Sequence, residues 1–333
     1  MPQHEFDALC IGNAIVDVMA RTEDDFLVAH GLIKGTMHLI DADRAEMLYD
    51  AMGPAIEASG GSAGNTASGI ASLGGSAAFI GKVAEDALGK FYRHDMTAAG
   101  INFPTAPLVG GAPTARSMIL ITPDGERTMN TYLGACQELA PIDIDQATVA
   151  AAKVTYMEGY LWDPPPAKQA FRQAAHYAHE AGRQASISLS DPFCVDRFRD
   201  EFLELLRSRT VDIVFANDSE LRSLYKTGSL DAAIEAVRHD CALSFVTVGA
   251  EGVIVVEDGR VTPIPAVATD RVEDLSGAGD QLAAGVLFAL ARDMAATDAA
   301  GLGALVASEV IGHLGPRPAT SLNDLARQAG FDI

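Results

Sequence analysis

Asp274-Leu275-Ser276-Gly277-Ala278-Gly279-Asp280 sets two glycines between two carboxylates. Upstream of it, 252–256 and 261–265 read as two short strands joined at Asp258-Gly259, a hairpin signal. Downstream, 281–292 is rich in Leu, Ala and Val without proline and reads as a buried helix. Gly277 and Gly279 thus lie where a loop enters a helix. The first backbone N–H groups of a helix have no internal partner and favour an anion in front of them. Asp280 stands beside that anion hole, placed to accept a proton from an attacking hydroxyl. The plainer alternative makes Ser276 or Asp280 a helix cap and the glycines a turn. A cap needs one polar residue, however, and here two glycines frame Ala278 ahead of a second carboxylate.

The 333 residues show no linker and read as one domain spanning 1–333. With 48% hydrophobic residues a large core is within reach. A formal charge of −21 repels nucleic acid and anionic membrane, so neither is expected as a partner. An anionic ligand would need local amides, a metal or a few placed cations. Cys10, Cys136, Cys194 and Cys241 are scattered, which fits neither a disulfide framework nor a metal knuckle and suggests a reducing cytoplasm. The opening residues are polar and the apolar runs short, so no signal peptide or spanning segment is expected.

Along the chain, the apolar run 8–18 reads as a first strand breaking at Gly12-Asn13. Asn13 and Asp17 are readable as turn-formers. An Asp inside an apolar segment nevertheless needs partners if buried, and sugar hydroxyls would serve. Residues 36–40 read as a strand in a small accessory sheet. Gly60-Gly61-Ser62-Ala63-Gly64-Asn65 opens a second helix, 66–73, with close packing of small residues as the alternative reason for its glycines. This is not a P-loop: Gly81-Lys82 lacks the glycine five positions before it and the following Ser or Thr. No dinucleotide fingerprint follows a strand, since Gly301-Leu302-Gly303 lies inside an expected helix. A further hairpin, 116–122 and 128–133, turns at Pro123-Asp124-Gly125-Glu126.

From 154 onward the pattern becomes strands (154–160, 185–189, 213–216) alternating with helices (167–181, 197–208, 219–225), which implies a parallel sheet covered on both faces. Ligands of such sheets lie beyond the carboxyl ends of the strands. Asp191, Asn217, Glu220 and Gly249 fall there, as the 274–280 loop does if it shares that edge. Asn217-x-x-Glu220 suits a capping box, and equally a carboxylate reaching Mg²⁺ through water. Thr247-Val248-Gly249-Ala250-Glu251-Gly252, a strand running into a glycine turn, suits nucleotide phosphate or ribose, or a plain hairpin.

Together these segments resemble, in order and near spacing, ribokinase-like (phosphofructokinase-B type) kinases, and the resemblance covers most of the chain. It implies an α/β fold with a mainly parallel central sheet flanked by helices on both faces and a small β lid from about 15–41 and 112–133. It also implies transfer of the ATP γ-phosphoryl group to a substrate hydroxyl. On that resemblance Asp280 is the base, Gly277, Ala278 and Gly279 supply anion-hole amides, Asn217 and Glu220 organise phosphate and Mg²⁺, and Thr247, Gly249 and Gly252 serve ATP. Gly12-Asn13-x-x-x-Asp17, Glu158-Gly159-Tyr160 and Leu189-Ser190-Asp191-Pro192-Phe193 are most similar to adenosine kinases. Asn13, Asp17, Gly61 and Asn65 would then hold the ribose side, and Tyr160, Leu161 or Trp162 would stack on the base. Leu275 departs from the family, which usually has Thr there.

No Lys or Arg occurs from 58 to 73, so an unphosphorylated polyol fits better than a sugar phosphate. The leading expectation is 5′-phosphorylation of adenosine to AMP. The alternatives are a kinase of an unphosphorylated sugar such as ribose, fructose or 2-keto-3-deoxygluconate, and a non-catalytic nucleoside-binding protein on the same fold. A K⁺ site beside the anion hole falls near 270–276 and 308–316, and the assembly is left open between monomer and homodimer.

Overall fold

The computed structural model describes residues 5–269 and 271–333. Residues 1–4, whose polarity argued against a signal peptide, and Asp270, at one end of the stretch named for K⁺, lie outside the described residues. The strands, in chain order, are β1 (Phe6–Ile11), β2 (Ile15–Arg21), β3 (Met37–Leu39), β4 (Ala55–Gly60), β5 (Ala77–Ile80), β6 (Ala115–Ile121) and β7 (Arg127–Tyr132). They continue with β8 (Ala152–Glu158), β9 (Gln184–Ser188), β10 (Ile213–Asn217), β11 (Leu243–Thr247), β12 (Val253–Glu257) and β13 (Arg260–Ile264).

Eight of them form one sheet in the order β13-β12-β11-β10-β9-β8-β1-β5, parallel from β11 through β5 and antiparallel only at β12 and β13. Parallel strands covered on both faces become continuously apolar, and β1 is buried along its whole length. One face packs on helices Ser62–Ser72, Ala278–Leu290 and Ala296–Val310, and the other on Pro165–Glu180 and Pro192–Arg207. The remaining five strands make a second sheet, β3-β7-β6-β2-β4. No helix among the described residues is long and apolar enough to cross a membrane.

Several elements differ from expectation in ways that matter for the site. The run 8–18 is two strands in two sheets, so Asn13 sits where the chain crosses between them. The strand expected to reach 160 ends at Glu158, and Tyr160 lies on a 3-10 turn, Gly159–Trp162. Pro192–Arg207 begins five residues before the expected 197, because Asp191 accepts the Cys194 N–H at 2.6 Å and Pro192 suits a first helical position. β4 was not anticipated: Ala55, Ile56 and Glu57 are all exposed and carry no alternation.

The helices meet through their smallest residues. A Cβ added to Gly69 of Ser62–Ser72 would lie 2.6 Å from Ala284 Cβ, and one added to Gly285 would lie 2.7 Å from Gly303 Cα. The run of Ala and Gly in 278–290 is therefore the condition for three helix backbones to approach one another closely.

Candidate active site

Two helix N-termini converge at the end of the main sheet. The helix Ala278–Leu290 starts three residues before the expected 281, with Gly277 as its N-cap in the left-handed region (φ 79°). Asp280 is thereby in the first turn. Its Oδ1 accepts the Ser62 hydroxyl at 2.6 Å and its Oδ2 accepts Asn65 Nδ2 at 3.0 Å, both from the first turns of Ser62–Ser72. The Thr66 hydroxyl donates to the Asp280 carbonyl at 3.2 Å, and Gln281 Nε2 donates to the Asn65 carbonyl at 3.0 Å. The glycine-rich loop of the first half of the chain is thus bonded directly to the carboxylate of the second half. Burial pushes the Asp280 carboxyl up, against the two hydrogen bonds that hold it down. A half-buried carboxylate of raised basicity at a helix N-terminus is suited to take a proton from an alcohol.

Hydrogen-bonded to the same glycine loop is a fully buried carboxylate, Glu158, quoted in the sequence but given no role there. Glu158 Oε1 accepts Asn13 Nδ2 at 2.7 Å and Oε2 accepts the Ala63 N–H at 2.9 Å, so one side chain ties the crossover to the glycine loop. Burial raises Glu158 to about 7, and Asp17 on β2 likewise to about 7. Asn13 Oδ1 and Asn65 Oδ1 are buried acceptors without a protein donor. Because each Nδ2 is committed to a carboxylate, each oxygen is left to accept, and a ligand rich in hydroxyl donors would satisfy both.

The cleft has two chambers that share Asp17, Ser62, Met129 and Tyr160. The smaller, 460 Å³, reaches Gly277, Gly279, Asp280, Asn65, Asn217, Glu220 and Thr247. The larger, 640 Å³, reaches Asn13, Gly61 and Glu158 and is otherwise walled mainly by apolar side chains. Tyr160 faces both, but Leu161 does not reach either: it is wholly buried, so its expected stacking role is corrected here, and with it that of Trp162. Trp162 packs on Phe171 and Phe202 and donates to Glu201 at 3.0 Å. The alternation of β8 into a 3-10 turn sends these two neighbours inward while Tyr160 stays 42% exposed. Besides Tyr160, Phe193 and Phe198 on the helix after β9 line the larger chamber.

Asn217 and Glu220 close into a complete capping box. Glu220 Oε2 accepts the Asn217 N–H at 2.9 Å, Oε1 accepts Asn217 Nδ2 at 2.5 Å, and Asn217 Oδ1 accepts the Glu220 N–H at 2.8 Å. The cap and the cleft position coexist, since both residues line the smaller chamber and burial raises Glu220 to about 7. Gly249 and Gly252 do not line either chamber. Gly252, at φ 108°, fits tightly against the Ile264 carbonyl and serves the hairpin. Among the described residues no cluster of three His, Cys, Asp or Glu is arranged to hold a metal ion.

One cation was missed by the sequence reading. Arg127, on β7 of the five-stranded sheet, reaches across the smaller chamber to pair with Asp274 at 2.6 Å, and both side chains are buried. Nη2 makes that ion pair, while Nε has no acceptor, so the guanidinium keeps one donor unmatched beside the smaller chamber. Asp274 itself orders the loop, accepting the Ser276 N–H at 3.0 Å and the Gly315 N–H at 2.9 Å. Arg127 follows a turn signal in a strand of ordinary composition, and only the pairing of the two sheets brings it here.

A carboxylate in the first turn of a helix, bonded to a glycine-rich loop and lining a cleft, is an arrangement compatible with a hydroxyl kinase, and the pfkB family carbohydrate kinase profile matches residues 54–322. The chain belongs to the pfkB family. It is 56% identical to the adenosine kinase of Sinorhizobium meliloti, with a TM-score of 0.91 over 98% of this chain and 100% of that one. It is 51% identical to a "probable sugar kinase protein" of Rhizobium etli, with a TM-score of 0.92 over 98% and 99%. Adenosine kinase 2 of Arabidopsis thaliana is 25% identical over 92% of this chain and 94% of that protein. This pfkB protein is accordingly an ATP-dependent phosphotransferase with an alcohol group as acceptor, of adenosine or sugar type, on the ribokinase-like α/β fold.

Proposed function

We propose that this pfkB kinase phosphorylates the 5′-hydroxyl of adenosine, giving AMP. The observation that carries the reading is the larger chamber: beyond the polar groups around Asp17 it continues between Ile15, Met37, Leu39, Leu133, Phe193 and Phe198. A hexose or pentose offers only a small patch of C–H surface to such walls, whereas a purine ring offers two broad flat faces. On this reading Asp17, Asn13, Gly61 and Asn65 hold the ribose hydroxyls, and Tyr160, where the chambers join, borders the 5′ end. Asp280 takes the proton of the attacking hydroxyl, while the N–H groups of Gly277 and Gly279 and the Arg127 guanidinium receive the γ-phosphoryl oxygens; the Ala278 N–H, expected to join them, is instead engaged with the Leu275 carbonyl at 3.3 Å.

The nucleotide occupies the smaller chamber on the side of Asn217 and Thr247. Mg²⁺ arrives on its phosphates, neutralising their charge, and Glu220 accepts from one of the waters the ion retains. Asp17, Glu158, Glu220 and Asp280 make the cleft acidic, which suits a neutral acceptor substrate and a metal-complexed nucleotide.

The deciding measurement is ADP release with Mg-ATP against adenosine, inosine, guanosine, ribose, fructose and 2-keto-3-deoxygluconate, with and without K⁺. Adenosine is expected to give the highest kcat/KM. Preference for a sugar would overturn the nucleoside assignment and favour the second reading, a sugar kinase, which the likeness to the Rhizobium etli protein supports.

A further inference from the structure

The segment Gly315-Pro316-Arg317 touches both halves of the active site. On one side Gly315 donates to Asp274 at 2.9 Å, and Pro316 packs so closely on Gly277 that a Cβ there would lie 2.6 Å from Pro316 Cα. The Pro316 carbonyl accepts Gln281 Nε2 at 3.0 Å, the same nitrogen that bonds the Asn65 carbonyl. On the other side Arg317 Nη1 donates to Asp95 Oδ2 at 3.2 Å and its Nη2 contacts Met96 Sδ at 3.4 Å, both on the helix Ala87–Ala98. Asp95 Oδ2 in turn accepts the Ser59 N–H at 3.2 Å and the Ser59 hydroxyl. Ser59 immediately precedes the Gly60-Gly61 turn, and that turn lies against Asp17, since a Cβ on Gly60 would fall 2.3 Å from Asp17 Oδ2.

Arg317 is also one of the charges that Asp17 experiences. Arg317 and Arg127 oppose the effect of burial on the Asp17 carboxyl, while Asp280 reinforces it. A further titratable neighbour, Tyr92, donates its hydroxyl to the Gly60 carbonyl at 3.0 Å and is held neutral by burial, and Glu158 lines the same chamber as Asp17. Arg317 Nε is buried without an acceptor, so the guanidinium is kept in place with one donor unmatched. Unmatched buried donors cost stability and persist where another requirement holds them.

We propose that Arg317 is a positioning residue for substrate recognition: through Asp95 and Ser59 it sets the Gly60-Gly61 turn against Asp17, the carboxyl that meets the substrate's hydroxyls. The proposal rests on the reading that Asp17 holds the acceptor substrate. Arg317 does not itself line either chamber of the cleft.

The test is Arg317→Gln, which keeps most of the stem and removes the charge, assayed with whichever acceptor the wild type turns over best. KM for the acceptor is expected to rise about tenfold, the scale of one charged hydrogen bond, with KM for ATP nearly unchanged. The acid limb of kcat/KM for the acceptor is expected to move up by about one pH unit, because Asp17 loses a stabilising cation. Arg317→Lys should restore the position of the limb. An unmoved limb with unchanged KM overturns the proposal, and so does an equal rise of both KM values, which would mark a role in folding alone. Should the Gln variant not fold, Asp95→Asn reads the same link: the acceptor KM rises alone if the link holds, and an unchanged acceptor KM overturns it. A wild type that prefers a sugar would sink the adenosine assignment but leave this test intact.

Discussion

Asp280 is where residue-scale chemistry is concentrated, because its two oxygens are already held by Ser62 and Asn65 and each retains a lone pair for the incoming proton. Asp280→Asn keeps the shape and removes the basicity. It is expected to lower kcat by about 10²–10⁴-fold while leaving adenosine binding, measured by calorimetry, close to wild type. Turnover at the wild-type rate would remove Asp280 from its assigned role. At Asp17 the expectation concerns pH. Its carboxyl, raised to about 7 by burial, accepts hydroxyls when ionised, so the affinity for acceptor should weaken as pH falls below about 7. Equal affinity one unit above and one unit below that point would contradict it.

These two carboxylates were readable from the sequence because each is chemically out of place, one among glycines and one within an apolar run. Glu158 and Arg127 were not, since nothing local distinguishes a glutamate at a strand end or an arginine after a turn. Their significance comes from residues 95 and 147 positions away, Ala63 and Asp274. Leu161 and Trp162 failed for the opposite reason: aromatic and apolar identity was legible, but which way a 3-10 turn points its side chains was not.

At the scale of elements, the hairpins and the alternating strands and helices were legible from period and turn chemistry. The Asp258-Gly259 turn adopts the two positive φ values, 47° and 76°, that such a dipeptide favours. Helix starts differ from expectation by three residues after Gly277, four after Gly61 and five after Asp191, because glycine or proline occupies the cap or first turn there. The anion-hole loop carries its own prediction. Gly277 combines φ 79° with Pro316 atoms 2.6 Å from where a Cβ would sit. Gly277→Ala should therefore cost about 1–2 kcal/mol of stability from the left-handed backbone alone, read by denaturant unfolding. Displaced amides should lower kcat about a hundredfold or more. A variant with wild-type kcat would show that these amides are not what receives the phosphoryl group.

For the whole molecule, the raised carboxyls of Asp17, Glu158 and Glu220 set the direction of acid–base linkage. Each binds its proton more tightly folded, at about 7, than in an unfolded chain, where the ordinary carboxylate range lies near 4. Between those values the native state holds more protons, so their contribution to stability is full below about 4 and is lost as pH rises through about 7. The formal charge of −21 acts in the same sense through self-repulsion. Without ligands the protein is expected to melt at a higher temperature at pH 5.5 than at pH 7.5, and the reverse order would refute this. The five-stranded sheet supplies Asp17, Ile119, Arg127 and Met129 to the cleft, and we expect it to act as a lid that excludes water once acceptor is bound. ATP hydrolysis without acceptor should be a small fraction of the kinase rate, and equal rates would remove the lid from the mechanism.

The packing of Gly69 on Ala284 and of Gly285 on Gly303 welds Asp280, the Gly277–Gly279 turn and the first turn of Ser62–Ser72 into one block. The walls that would read the rest of the substrate come from other places: β3 and β7 on one side, the helix after β9 on the other. Reactivity and choice of substrate are thus inherited on separate pieces of the chain. A lineage can retune what it phosphorylates by mutating a strand edge and one helix turn, while the chemistry stays untouched in a block where even a methyl group has no room to enter.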